Sequence, residues 1–373
     1  MFYRRINMTK WKSLKSIALV GALFASTLAM ANQARQVVSE NGKTSTVERI
    51  DFPGLIKDVI PAGDKYLIHA DPIASLKDSV AVDGLFVMEK DNTGSAFGRT
   101  FSTNIHSVAY VPGLDIATWS YEDIYSAKLL NVKTGSSALA SAGSITGFDG
   151  WEFDPKSKLF GLDGNRVIEI RTDNEDGKLN VFGGCHILTQ TENGYEDYPP
   201  DRSHLIGEQD AEKVIAADEY GVFVASSDKP NRLVHYRDDS FKNRDTINDW
   251  EFPLNMAKLS SSPTDGRLFV ENSPGNVQSR SYDANNVGDV DGSTVAWNGL
   301  PISSMATSKS NDVLRVVSKG TNEVFESNAT LTNTDRVIPN PSEKGYRKII
   351  ADGNDTLLLS DTNSNYFYRV RSR

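Results

Sequence analysis

The segment Asp283 to Thr294, DANNVGDVDGST, gathers Asp283, Asn285, Asp289 and Asp291, the oxygen donors that a hard cation takes. Its spacing departs from D-x-[DN]-x-[DN]-G and no glutamate closes it at the twelfth position, so it reads as a solvated turn. No cofactor motif is identified, and Ca²⁺ is the metal these residue types suggest. The five histidines, His69, His106, His186, His204 and His235, lack metal-ligand spacing and read as structural residues. His69 and His106 are expected near one face. The single cysteine, Cys185, excludes an intramolecular disulfide and reads as a small packed side chain. No G-x-S-x-G or comparable nucleophile context occurs, so no catalytic triad can be written.

A second constellation is cationic. Aligning seven short strands at the residue before each apolar run places Asp58, Ser107, Gly150, Lys213, Lys258, Ser304 and Lys348 at equivalent positions. Lys57, His106 and Arg347 stand one step earlier. If these strands surround a channel, the ammonium groups converge at one mouth and form a local positive funnel for a carboxylate, sulfate or phosphate group. The competing reading pairs the lysines with Asp58, Asp149 or Glu212 across the ring.

Both readings require elements that carry distant residues into one ring, and the chain supplies a degenerate repeat. The clearest copies are KVIAADEYGVFVASSDKPNRLVHYRDD, AKLSSSPTDGRLFVENSPGNVQSRSYDAN, SSMATSKSNDVLRVVSKGTNEVFESNA and RKIIADGNDTLLLSDTNSNYFYRVRSR. Each reads as a strand, a tight turn, a short apolar strand, a polar turn and an alternating strand. Three weaker copies precede them. The second strand of each copy starts at Tyr66, Ile116, Leu159, Val222, Leu268, Leu314 and Leu357, giving spacings of 50, 43, 63, 46, 46 and 43. A period near 45 with turn residues at fixed offsets predicts four-stranded antiparallel propeller blades. The expected fold is all-β, a seven-bladed β-propeller over residues 32–373. Turns such as DEYG, PTDG and DGND supply the tight reversals.

The long third spacing predicts an insertion at about 186–212, on the face where propellers usually bind ligands. It carries Tyr195, Tyr198, Arg202 and His204, expected as a lid or a partner contact. Because the repeat resumes at Lys213, this insertion should be dispensable for folding. The chain stops after the third strand of its last copy, while TSTVERID, Thr44–Asp51, precedes the first. That segment is expected to pair with Asn365–Arg371 as the outermost strand of the last blade, closing the ring and removing an exposed edge.

The first residues read as an address. Arg4, Arg5, Lys10, Lys12 and Lys15 precede the apolar run IALVGALF and the small-residue site Ala29-Met30-Ala31, which predicts cleavage after Ala31 and a periplasmic or secreted protein. Cleavage removes five of the 40 basic residues and none of the 49 acidic ones, leaving a formal charge of about −14. Such acidity opposes nucleic-acid binding. No apolar stretch reaches the roughly 20 residues of a membrane-spanning helix, so no integral membrane segment is expected. A monomer is expected.

The copies resemble the loosely defined repeats of the NHL, YVTN and strictosidine-synthase-like propellers. The closest is VIAADEYGVFVASSDKPNRLVHYR with its Asp218, Gly221, Asn231 and Arg232. This resemblance implies a seven-bladed fold but transfers no catalytic residue. The leading expectation is an exported propeller that binds a small anionic molecule, a glycan or a protein partner without catalysing a reaction. A lactonase- or lyase-type enzyme with a channel-mouth site, with or without Ca²⁺, and a structural subunit of an envelope complex are the alternatives.

Overall fold

The computed structural model describes residues 34–38, 42, 44–71, 82–91, 96–121, 128–134, 157–162, 164–175, 178–191, 194–198, 204–208, 213–227, 229–237, 244–247, 250–262, 264–283, 287–296, 300–321, 323–339, 345–360 and 364–372. The expected leader, Asp149, Gly150, Arg202, Glu212 and Asn285 lie outside them. The described residues contain strands and turns and no α-helix; none of them forms a helix long and apolar enough to cross a membrane.

Strands β1 (Ala34–Val38) and β2 (Thr44–Asp51) come first. A first sheet follows in chain order: β3 (Leu55–Ala62), β4 (Lys65–Asp71), β5 (Val82–Glu89) and β6 (Ala96–Thr103). The second holds β7 (Ile105–Val111), β8 (Ile116–Tyr121) and β9 (Lys128–Asn131). The third holds β10 (Lys158–Gly161), β11 (Arg166–Glu175) and β12 (Lys178–Thr191), and both β13 (Gly194–Tyr198) and β14 (His204–Glu208) pair with β12. The fourth is β15 (Lys213–Asp218), β16 (Gly221–Ser226), β17 (Lys229–Arg237) and β18 (Arg244–Ile247). The fifth is β19 (Asn255–Ser260), β20 (Gly266–Ser273), β21 (Asn276–Tyr282) and β22 (Val287–Ala296). The sixth is β23 (Ile302–Ser308), β24 (Val313–Ser318), β25 (Glu323–Asn328) and β26 (Thr334–Pro339). The last contains β27 (Tyr346–Asp352), β28 (Asp355–Ser360) and β29 (Tyr366–Ser372), to which β2 and then β1 are added.

The sheets owe their local form to short apolar runs. GVFVAS in β16 is buried at every position, because a second strand has neighbouring sheets on both faces. Apolar clusters then join each sheet to the next. Trp119 with Leu67 and Leu85 joins the first and second, Phe223 with Met256 and Leu268 the fourth and fifth, and Tyr346 with Val317 and Leu358 the sixth and last. Phe52, Tyr66, Phe367 and Leu357 join the last sheet to the first, so packing runs full circle. At Gly161 an added Cβ would stand 1.7 Å from the Tyr110 carbonyl oxygen, so the close approach of β10 to β7 requires a residue without a side chain.

The predicted pairing of the two ends of the chain is present. Ser45 lies opposite Ser372 and Asp51 opposite Tyr366 in an antiparallel ladder. The N-terminal strand is not outermost, however. β1 pairs beyond it and makes a five-stranded sheet, while the second sheet has three described strands.

Two further expectations change. Leu159 lies on the first strand of its sheet, not the second, because the short run KLFG resembles a second strand in isolation. The equivalent residue is Val167 on β11, so the spacings become 51 from Ile116 and 55 to Val222. Much of the apparent insertion therefore disappears. The remainder is not a loop added to a finished sheet. Residues of β13 pair with Ile187–Thr191, and β14 pairs with Asn180–Gly183, so the segment completes the outer edge of the third sheet.

Candidate binding channel

The first strands of the sheets stand side by side, and β3, β15, β19, β23 and β27 line a cavity of about 740 Å³. That volume is typical of a small-molecule site. An inner strand has no partner on its open edge, so its backbone groups need other donors and acceptors. Side chains of adjoining first strands provide them. Ser107 Oγ accepts from Leu159 N at 2.9 Å, Ser304 Oγ accepts from Ile349 N at 3.2 Å, and Thr307 Oγ1 donates to the Lys258 carbonyl oxygen. The seryl and threonyl residues of ISSMATS thus tie β23 to both of its neighbours.

Ion pairs add a second set of ties. Lys348 Nζ lies 2.6 Å from Asp58 Oδ1, joining the last sheet to the first. Lys258, with its side chain fully buried, lies 2.5 Å from Asp218 Oδ1 and joins the fifth sheet to the fourth. Where first strands turn into second strands, hereafter the hairpin end, Lys309 Nζ lies 2.8 Å from Glu219 Oε1 and donates to Tyr220. Burial alone would lower the Lys309 ammonium, but these two partners raise it above its ordinary value.

These contacts locate the cationic residues singled out by alignment. Lys348 and Lys258 line the cavity, yet each already holds a carboxylate. They also stand at different levels. Counted from the hairpin, Lys258 is two residues from the end of β19 and Lys348 four from the end of β27. The difference is about 7 Å along the channel. Lys57 points elsewhere, donating to Asp83 Oδ1 at 2.5 Å and reaching Asp71 Oδ1 at 2.7 Å. Burial opposes its charge, and Asp71 and Asp83 outweigh that penalty, so its ammonium is raised. Arg347 Nη2 donates to the carbonyl oxygens of Ile56 and Lys57 at 2.9 and 2.8 Å. His106 is exposed on β7, and Lys213 begins β15. Lys258 and Lys348, two of the three lysines expected to form the positive funnel, are thus held in inter-sheet ion pairs with Asp218 and Asp58.

Asp83 is the buried centre of a further group. Its Oδ2 accepts from Ile105 N at 2.6 Å, tying the first sheet to the start of β7, and His69 Nε2 stands 3.3 Å away. In the fifth sheet Glu271 plays the same part, with Oε1 accepting from Ile302 N at 3.0 Å. The proposed lid residues Tyr195 and Tyr198 lie on β13 and His204 opens β14. Asp283 is exposed just after β21, while Asp289 and Asp291 belong to β22. The stretch expected as a turn is therefore mostly strand, with Asp289 opposite Ser281. Among the described residues no group of three or more histidine, cysteine, aspartate or glutamate side chains is placed to hold a metal ion. Sequence reading missed Asp218, Glu219, Tyr220 and Lys309. The first three begin DEYG, whose turn propensity concealed a part in the channel wall.

This architecture is similar to two solved structures. The β-propeller domain of Cps50 (Swd1) from Myceliophteria thermophila matches with a TM-score of 0.55 and 10% identity, covering 90% of this chain and 99% of that one. Sqt1 from Saccharomyces cerevisiae matches with a TM-score of 0.52 and 9% identity, covering 88% and 83%. The first of these is a β-propeller domain, and the likeness shows that the chain has a β-propeller fold. No protein-family model matches the chain, and no curated protein sequence does.

Proposed function

We propose that this chain is an exported, seven-bladed propeller that serves as a binding scaffold for a partner protein. The blade count is supported by the sheets, each packed on the next, and by the pairing of β2 with β29. Export is supported by the basic and apolar pattern before Ala31. The observation that carries the scaffold reading is the use of the channel's charges. Lys258 with Asp218 and Lys348 with Asp58 hold neighbouring sheets together. Groups committed to such ties serve rigidity, and a rigid ring offers fixed loops for docking.

The test is purification of the chain from its native host after mild cross-linking. A stoichiometric complex, with cross-links confined to the loops at the ends of the first strands and a mature N-terminus at Asn32, is the expected result. Recovery of the chain alone with Ca²⁺-dependent lactone hydrolysis would overturn the scaffold reading in favour of an enzyme. A small anionic molecule or glycan in the channel is the second reading. It is favoured by Lys348, whose side chain stays 43% exposed in the channel lining despite its pairing with Asp58.

A further inference from the structure

At the hairpin end of the channel one contact joins sheets that are not neighbours. Glu219 and Tyr220 form the turn between β15 and β16 of the fourth sheet, and Lys309 follows β23 of the sixth. The Lys309 ammonium lies 2.8 Å from Glu219 Oε1, donates to the Tyr220 hydroxyl and stands 4.1 Å from the centre of the Tyr220 ring. A carboxylate beside an aromatic face is the arrangement that receives an alkylammonium ion, through charge, hydrogen bonding and the ring quadrupole together. Here the chain fills that receptor with its own lysine.

Its surroundings are acidic on balance, although Asp218 is already paired with Lys258. Asp218, Glu219 and Asp265 all lie near Tyr282. Burial first, and then these three charges, hold the Tyr282 phenol well above its ordinary range, although a hydrogen bond with Ser260 works the other way. The acidic chain adds a long-range attraction for cations. Lys309 and Glu219 are about half exposed, with side-chain exposures of 48% and 42%. Exposed ion pairs of this kind contribute little to stability, so an outside ammonium group can compete for the same place.

We propose that Glu219 and Tyr220 form a binding site for a primary ammonium group on a flexible alkyl arm, occupied in the free protein by Lys309. The ligand takes the place of Lys309 and releases the strap across this mouth of the channel. Its source is a lysine side chain or a free polyamine, which share this chemistry. The site stands on the Lys309 contact and does not depend on the scaffold reading.

The experiment is a ligand-observed NMR titration of the full mature chain and of Lys309→Ala with two probes, Nα-acetyl-lysine methylamide and spermidine. Removing the internal occupant should tighten binding of at least one probe by about fivefold, because a site mostly filled from within shows reduced apparent affinity. Adding Glu219→Gln to Lys309→Ala should abolish that gain, while thermal melting confirms that both variants fold. Tighter binding of the lysine derivative assigns the site to a side chain, and tighter binding of spermidine to a polyamine. If Lys309→Ala binds both probes no better than the parent, or if Glu219→Gln leaves the gain intact, the proposal is wrong.

Discussion

Arg369 Nη2 stands 2.6 Å from Glu48 Oε2, although 321 residues separate the two in the chain. The guanidinium also donates through Nε to the same oxygen at 3.1 Å and through Nη1 to the Lys90 carbonyl oxygen at 2.7 Å. Lys90 in turn pairs with Asp352. The last strand, the N-terminal strand and the first sheet are thus held at one buried point. Glu48→Gln keeps the shape but leaves a guanidinium only 4% exposed without its counter-charge. A loss of about 3 kcal/mol is expected, read as a lower urea midpoint. An unchanged midpoint would show that the ladder between β2 and β29 suffices by itself.

The Lys258–Asp218 pair separates a structural tie from a ligand site. Lys258→Met strands Asp218 beside the cavity and should destabilise the protein by about 3–5 kcal/mol. Lys258→Met combined with Asp218→Leu replaces both charges by apolar groups and should recover most of that loss. Equilibrium unfolding of the two single and one double variant gives the coupling directly. Additive effects of the two substitutions would count against the tie.

Acid should weaken the junction of the first and second sheets. Burial disfavours the charged form of Asp83, but His69 and Lys57 more than offset that penalty and hold its carboxyl well below the usual range. A depressed folded-state value contributes stability above the unfolded value of about 3.9 and loses it as pH falls through the folded value. The urea midpoint should therefore decline as pH is lowered from about 4. Asp83→Asn should be less stable near neutrality and show a flatter acid limb. Parallel pH profiles for the parent and the variant would exclude Asp83 as the source.

Replacing residues 192–212 with a short Gly/Ser linker should now cost stability. The exchange removes β13 and β14, and with them the ladders to Ile187–Thr191 and Asn180–Gly183. It exposes the long edge of β12, so a lower melting temperature and increased aggregation are expected. A melt superimposable on that of the parent would return this segment to the status of a dispensable insertion.

The sequence by itself determined the kind of element and the way the ends meet. Alternation, turn residues and a recurring short apolar run are local properties, so GVFVAS and its counterparts were legible as buried second strands. The final strand lacked a fourth partner within its own copy of the repeat, and the spare segment TSTVERID could supply one. Tertiary structure decided the register and the partners. KLFG carries no mark that distinguishes a first from a second strand, and only its pairing with β11 fixed its place. Alignment on apolar runs put Lys258 level with Lys348, whereas counting from the hairpin separates them by two residues. Their carboxylate partners lie 40 and 290 residues away. No local pattern encodes such pairs, because each exists only after neighbouring sheets have packed and the ring has brought the last sheet against the first.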